Sequence, residues 1–184
     1  MPSPCDPKYA PVGDVSAALL MMDSQLKAIY DESETESEAA SEARTDAEQR
    51  RLTKQFAASL GPEGIDALLD GACTLIYMFM QWLRAACEDH DEDIVEYVVP
   101  TLVSSMRMMP KTFRPEVIPT MAGLVIAAAT GLSPNLWRSQ YGRWTDAELN
   151  ALEATTILLA ERINRITDDH DFATRLITQA LSDH

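Results

Sequence analysis

The sequence predicts an all-α fold: a single compact bundle of seven or eight helices around a buried central helix at about 64–88. Three observations carry this. Ile65, Leu68, Leu69, Ala72, Ile76, Met80, Leu83 and Cys87 recur three or four residues apart, the spacing of one helix face. Leu75, Tyr77, Met78, Phe79 and Trp82 fill positions between them, so this helix is apolar nearly all round and must be wrapped by others rather than laid on a surface. No stretch reads convincingly as a strand.

The elements follow in order. Residues 1–13 carry Pro2, Pro4, Pro7, Pro11 and Gly13, which reads as a Pro-rich extended tail or a strap across the fold, with 14–184 forming one all-α domain. Asp14 can cap a helix beginning at Val15, whose apolar face is Ala18, Leu19, Met22, Leu26 and Ile29. The segment 31–48 holds eight acids against one Arg and no large apolar residue, so it reads as a solvated helix or a linker. Helix resumes by Ala47, with Leu52, Phe56 and Leu60 four apart, and Gly61 with Pro62 breaks it before the central helix. An acidic corner at 88–93 leads into Ile94, Val98, Leu102 and Met106, where Pro100 marks either a kink or a new start.

Pro110 and Pro115 bracket a loop. A second very apolar helix spans 116–130, and its small Ala122, Gly123, Ala127, Ala128 and Ala129 admit a close neighbour. Gly131 is placed to end it. Ser133 and Pro134 open a short helix through Trp137. Thr145 and Glu148 form a capping box, with Trp144 as its hydrophobic staple on Leu149. The helix they open buries Leu149, Leu152, Thr156, Leu159, Ile163 and Ile166, and after a second acidic corner Phe172, Leu176, Ile177 and Leu181 anchor the last one.

At 184 residues the chain is long enough for one domain with a real core. Its net charge of −14 argues against direct nucleic-acid binding, which needs clustered Lys and Arg, and against an anionic membrane surface. The same charge favours a basic protein partner. No apolar run approaches the ~20 residues of a membrane span. Cys5, Cys73 and Cys87 are odd in number, and two of them fall on one helix roughly 21 Å apart, beyond disulfide reach. Reduced thiols and a start without a basic leader fit a cytoplasmic protein.

Two corners carry Asp-His-Asp: Asp89, His90, Asp91 and Asp169, His170, Asp171. Carboxylates with an imidazole suit a divalent metal such as Mg²⁺ or Mn²⁺, and if the corners met they would make a metal-binding module or a metal-dependent hydrolase. The alternative is plain: Asp caps a following helix. The His-Asp doublet resembles metal phosphohydrolases of the HD type, whose upstream histidine is absent here. The segment 141–152 resembles the opening of a Myb-type repeat, but Arg162 and Ile163 stand where its next tryptophan falls. Trp137, Arg138, Tyr141, Arg143 and Trp144 combine arginine with aromatics, the residue types that dominate interfaces.

No phosphate loop, nucleophile elbow or catalytic triad is legible, so no catalytic residue is assigned. The reading is a non-enzymatic acidic adaptor or regulator acting by protein–protein contact, alone or as a homodimer. Its contact residues would be Trp137, Arg138, Tyr141, Arg143 and Trp144 with the acidic Glu34, Glu36, Glu38 and Glu42. An acidic mimic that blocks a nucleic-acid-binding protein is the second reading, and the metal module the third. The nine methionines also allow a pocket for a small apolar ligand between the two most apolar helices.

Overall fold

The computed structural model describes residues 3–34 and 39–183; for 33, 34, 39–50, 52–54, 56–60 and 62 only the backbone is described. Helix α1 spans Val15–Glu34, α2 Ala39–Glu88, α3 Ile94–Tyr97, α4 Val99–Arg107, α5 Ile118–Ala129, α6 Pro134–Ser139, α7 Asp146–Thr167 and α8 Phe172–Ser182. Among the described residues there is no strand, and no helix is long and apolar enough to cross a membrane.

Gly61, at φ 70° and ψ 179°, breaks α2 into two arms where the Gly-Pro pair predicts it. The second arm is the hub. Leu75, Ile76, Phe79, Met80 and Leu83 on it are fully buried, and α2 packs against α1, α3, α5, α6, α7 and α8. Removing one such side chain, as in Phe79→Ala, costs about 3–5 kcal/mol. The acidic segment is helical at both ends: α1 runs through Asp31 to Glu34, and α2 begins at Ala39, with 35–38 outside the described residues. Pro100 starts a new helix: α3 ends at Tyr97 and α4 begins at Val99 with the proline in its first turn, where no N–H is missed.

Two glycines set close approaches. The chain at Asp14 crosses α2 at Gly71, where a Cβ would stand 2.3 Å from the Asp14 carbonyl oxygen, and the Asp14 N–H donates to the Ala67 carbonyl at 2.7 Å. Gly123 on α5 accepts the Trp137 indole, whose Cη2 lies 2.3 Å from the position a Cβ would take. The N-terminal residues form a strap rather than a free tail. Cys5 is buried, its carbonyl accepts from the Ser133 N–H at 2.8 Å, and the Thr74 hydroxyl donates to the Val12 carbonyl at 2.8 Å.

Helix ends follow local chemistry. Leu132 and Gly131 donate to the Ala127 and Ala128 carbonyls at 2.9 and 3.1 Å, so α5 closes in a Schellman stop with Gly131 at φ 83°. The capping box of α7 is complete: Thr145 Oγ1 accepts from the Glu148 N–H, and Glu148 Oε2 accepts from the Thr145 N–H.

Candidate functional site

The arginine–aromatic segment is divided by the fold. Arg138 is only 2% exposed. Its Nη1 donates to the Gly142 carbonyl at 2.9 Å, and its Nη2 to the Arg143 carbonyl at 2.9 Å and to Glu148 Oε2 at 2.6 Å. Its guanidinium carbon lies 4.8 Å from the Trp144 ring centroid. Burial pushes the Glu148 carboxyl up, but the hydrogen bonds from Arg138 and Thr145 outweigh it and hold the group below its ordinary range. Arg138 thus clamps the 139–145 turn to the start of α7 and is not free to meet a partner. Trp137 and Trp144 are half-buried against the core, leaving Tyr141 and Arg143 exposed. Of the acidic residues proposed alongside them, Glu34 ends α1 and Glu42 lies in the first turn of α2 by backbone alone; their side chains, and Glu36 and Glu38 entirely, lie outside the described residues.

The two Asp-His-Asp corners are helix stops. In the first, Asp91 takes φ 56°, and the Asp91 and Glu92 N–H groups donate back to the Glu88 and Cys87 carbonyls. In the second, Asp168 takes φ 52°, and the Asp168 and Asp169 N–H groups donate to the Arg165 and Asn164 carbonyls. Both are Schellman geometry with aspartate where glycine is usual, and aspartate is among the few residues that tolerate it.

The remaining groups of the corners have other tasks. Asp169 pairs with Arg175, and that hydrogen bond, with one from the Asp171 N–H, holds its carboxyl below the usual range. The His170 ring stacks on Tyr30 at 4.2 Å, and its carbonyl accepts from Asn164 Nδ2 at 2.7 Å. Asp89, His90 and Asp91 face solvent. Among the described residues no three His, Cys, Asp or Glu side chains are grouped to hold a metal, so the corners do not assemble into the shared site their sequence pattern allows.

The methionine-lined space lies elsewhere than expected. Met80 on α2 and Met121 on α5 are fully buried, so the interface of the two most apolar helices is packed. Methionine-lined space is found instead beside α1 and α7. One cavity of about 280 Å³ lies between Met21, Leu68, Leu69 and Leu149, with Glu153 in its wall. A second of about 490 Å³ lies between Gln25, Ile29, Met109, Leu158 and Glu161. Gln25 lines the second cavity and Glu153 the first, and Gln25 Nε2 donates to Glu153 Oε1, tying α1 to α7.

This space opens because each helix turns a wider apolar face than its neighbours cover. Met21 and Ile29 flank the buried Met22 and Leu26 on α1, and Leu149 and Leu158 flank Leu152 and Leu159 on α7. Burial pushes the Glu153 carboxyl up, with Gln25 offsetting part of the effect. A half-buried carboxylate in a largely apolar cavity fixes the orientation of what binds there.

The sequence reading missed this groove, because an apolar helix face that meets a neighbour and one that stops short of it carry the same letters. The signal present was Glu153, an acid placed between the buried Leu152 and Thr156. The three thiols are buried, and burial pushes Cys73 up to about 12, so none is set up as a nucleophile. Comparison with family models, with curated proteins and with solved structures gives no match for this chain.

Proposed function

We propose that this protein is a non-enzymatic helical interaction protein that docks a basic amphipathic helix of a protein partner in the groove between α1 and α7. The observation that carries the reading is the pair of largely apolar cavities bordered by α1 and α7 in a chain with net charge −14. Together the two cavities border α7 from Leu149 to Glu161, about 18 Å along its axis at 1.5 Å per residue, the length of roughly three turns of a partner helix. A helix laid in an apolar groove is a recurring mode of peptide recognition, anchored by side chains at helical spacing. The negative charge draws in a basic partner and opposes docking of a second copy of the chain.

Photo-crosslinking in the host tests this. A benzoylphenylalanine replacing Met21, in the groove, is expected to capture a partner through a basic amphipathic helix. The same group replacing Leu20, 70% exposed on another face of α1, is expected not to. Equal capture at both positions, or capture of an acidic or non-helical segment, would overturn the reading.

A further inference from the structure

Glu153 is oddly placed for a residue whose only task is to hold the fold. It lines the largely apolar cavity beside Leu152 and the Met21–Leu68 wall, and its one side-chain hydrogen bond among the described residues is from the Gln25 amide to Oε1. Its second oxygen, Oε2, accepts no hydrogen bond from any described residue, and among the described residues no Lys or Arg pairs with it. Several carboxylates on the surrounding helices are paired: Glu161 with Arg165 at 2.5 Å, Asp23 with Lys27 at 2.8 Å and with the Thr174 hydroxyl, and Glu148 with Arg138.

Glu153 is half-buried and its Oε2 still reaches solvent, but a carboxylate set in a largely apolar wall gives up part of its hydration, which one amide only partly replaces. Gln25 fixes its direction: with Oε1 tied to α1, Oε2 is the oxygen left for a newcomer. A cationic side chain entering the groove would restore what burial took away, and would do so better than any uncharged one.

We propose that Glu153 is the specificity determinant of the groove and receives, on Oε2, a single lysine or arginine carried on the otherwise apolar face of the docked helix. The partner class is thereby narrowed. It is an amphipathic helix with one cation near the middle of its apolar stripe, flanked on either side by apolar anchors for the two cavities. Basic residues scattered on its outer face would speed encounter but would not select it. This rests on the groove being the docking site, as proposed above.

The test is a selection with a displayed library of helices of about 16 residues, three to four apolar positions fixed at helical spacing and the rest randomised, against the wild-type protein and against Glu153→Gln. Glutamine keeps the size of the side chain and a hydrogen bond to Gln25 but removes the charge. Wild type is expected to enrich Lys or Arg at one position within the apolar stripe. Binders so obtained should lose roughly tenfold or more in affinity for Glu153→Gln, while versions with norleucine at that position should lose this preference and bind Glu153→Gln at least as tightly as wild type.

The free Glu153→Gln protein is expected to melt about 2–4 °C higher than wild type, since a residue kept for its partner at the fold's expense shows that trade, and a purely structural one does not. Helices that bind in the groove with no stripe cation, or that bind Glu153→Gln as tightly as wild type, would overturn the role of Glu153 and leave the groove standing. Failure to obtain any helix competing at the groove, judged by loss of binding in Met21→Glu, would overturn the docking reading itself.

Discussion

Removing Glu148 should destabilise the protein far more than an ordinary surface substitution does. The carboxylate is the charge partner of Arg138, the two side chains being 12% and 3% exposed. In Glu148→Ala the guanidinium stays buried with two backbone carbonyls and no counter-charge, which costs about 3–5 kcal/mol. The lost acceptor for the Thr145 N–H adds about 0.5–1 kcal/mol at the start of α7. For a chain of this size the sum lowers the melting temperature by roughly 7–24 °C, read by circular dichroism at the helix band. The double variant Arg138→Met, Glu148→Met should recover most of the loss, because the Gly142 and Arg143 carbonyls lie in an exposed turn that water can reach and a buried ion pair replaced by apolar groups is often neutral.

The effect has a pH signature. The Glu148 carboxyl lies below its ordinary value of 4.5 in the folded protein, so its stabilisation is present above that value and is lost as pH falls through the lower folded one. The gap between wild type and Glu148→Ala should therefore narrow in strong acid. A loss under about 1 kcal/mol at neutral pH, the size of an ordinary surface pair, would refute the clamp, as would a double variant no better than the single one.

Three further outcomes follow from the packing. Gly123→Ala should destabilise by about 1–3 kcal/mol despite the better helix propensity of alanine, since its Cβ falls on the Trp137 ring; an altered tryptophan emission should accompany it. Asp168→Gly should stabilise by about 0.5–1 kcal/mol in urea unfolding, by relieving the left-handed backbone and removing a negative charge from a helix C-terminus; destabilisation would mean that the side chain does something the geometry does not record. The thiols should be silent toward a disulfide reagent in the native state and titrate as three after unfolding, Cys73 being the most resistant.

What the sequence conveyed depended on range. The hub from Ile65 to Cys87, the break at Gly61, the stop at Gly131 and the Thr145–Glu148 box are all decided within a few residues, and each is legible from local chemistry. The Asp-rich corners were ambiguous for a physical reason: aspartate is both a hard-metal ligand and one of the few residues that enter the left-handed region, and Asp91 and Asp168 use the second property. The role of Arg138 was hidden because burial turns an interface residue into a clamp, and that depends on Glu148 ten residues further on and on where Trp144 packs. The groove was least legible. It arises from the relative placement of α1, α2 and α7, and no periodicity within one helix reports how far its neighbour stands from it.

The most direct measurement is a methionine-methyl NMR titration with a basic amphipathic helix, run beside an acidic helix of the same apolar stripe. The methyls of Met21 and Met109 line the two cavities, while Met108, 83% exposed, and the fully buried Met80 and Met121 serve as internal references. Docking in the α1–α7 groove requires Met21 and Met109 to shift together with the basic helix and to stay in place with the acidic one. Equal responses to both helices, or shifts confined to Met108 and other surface sites, would contradict the account.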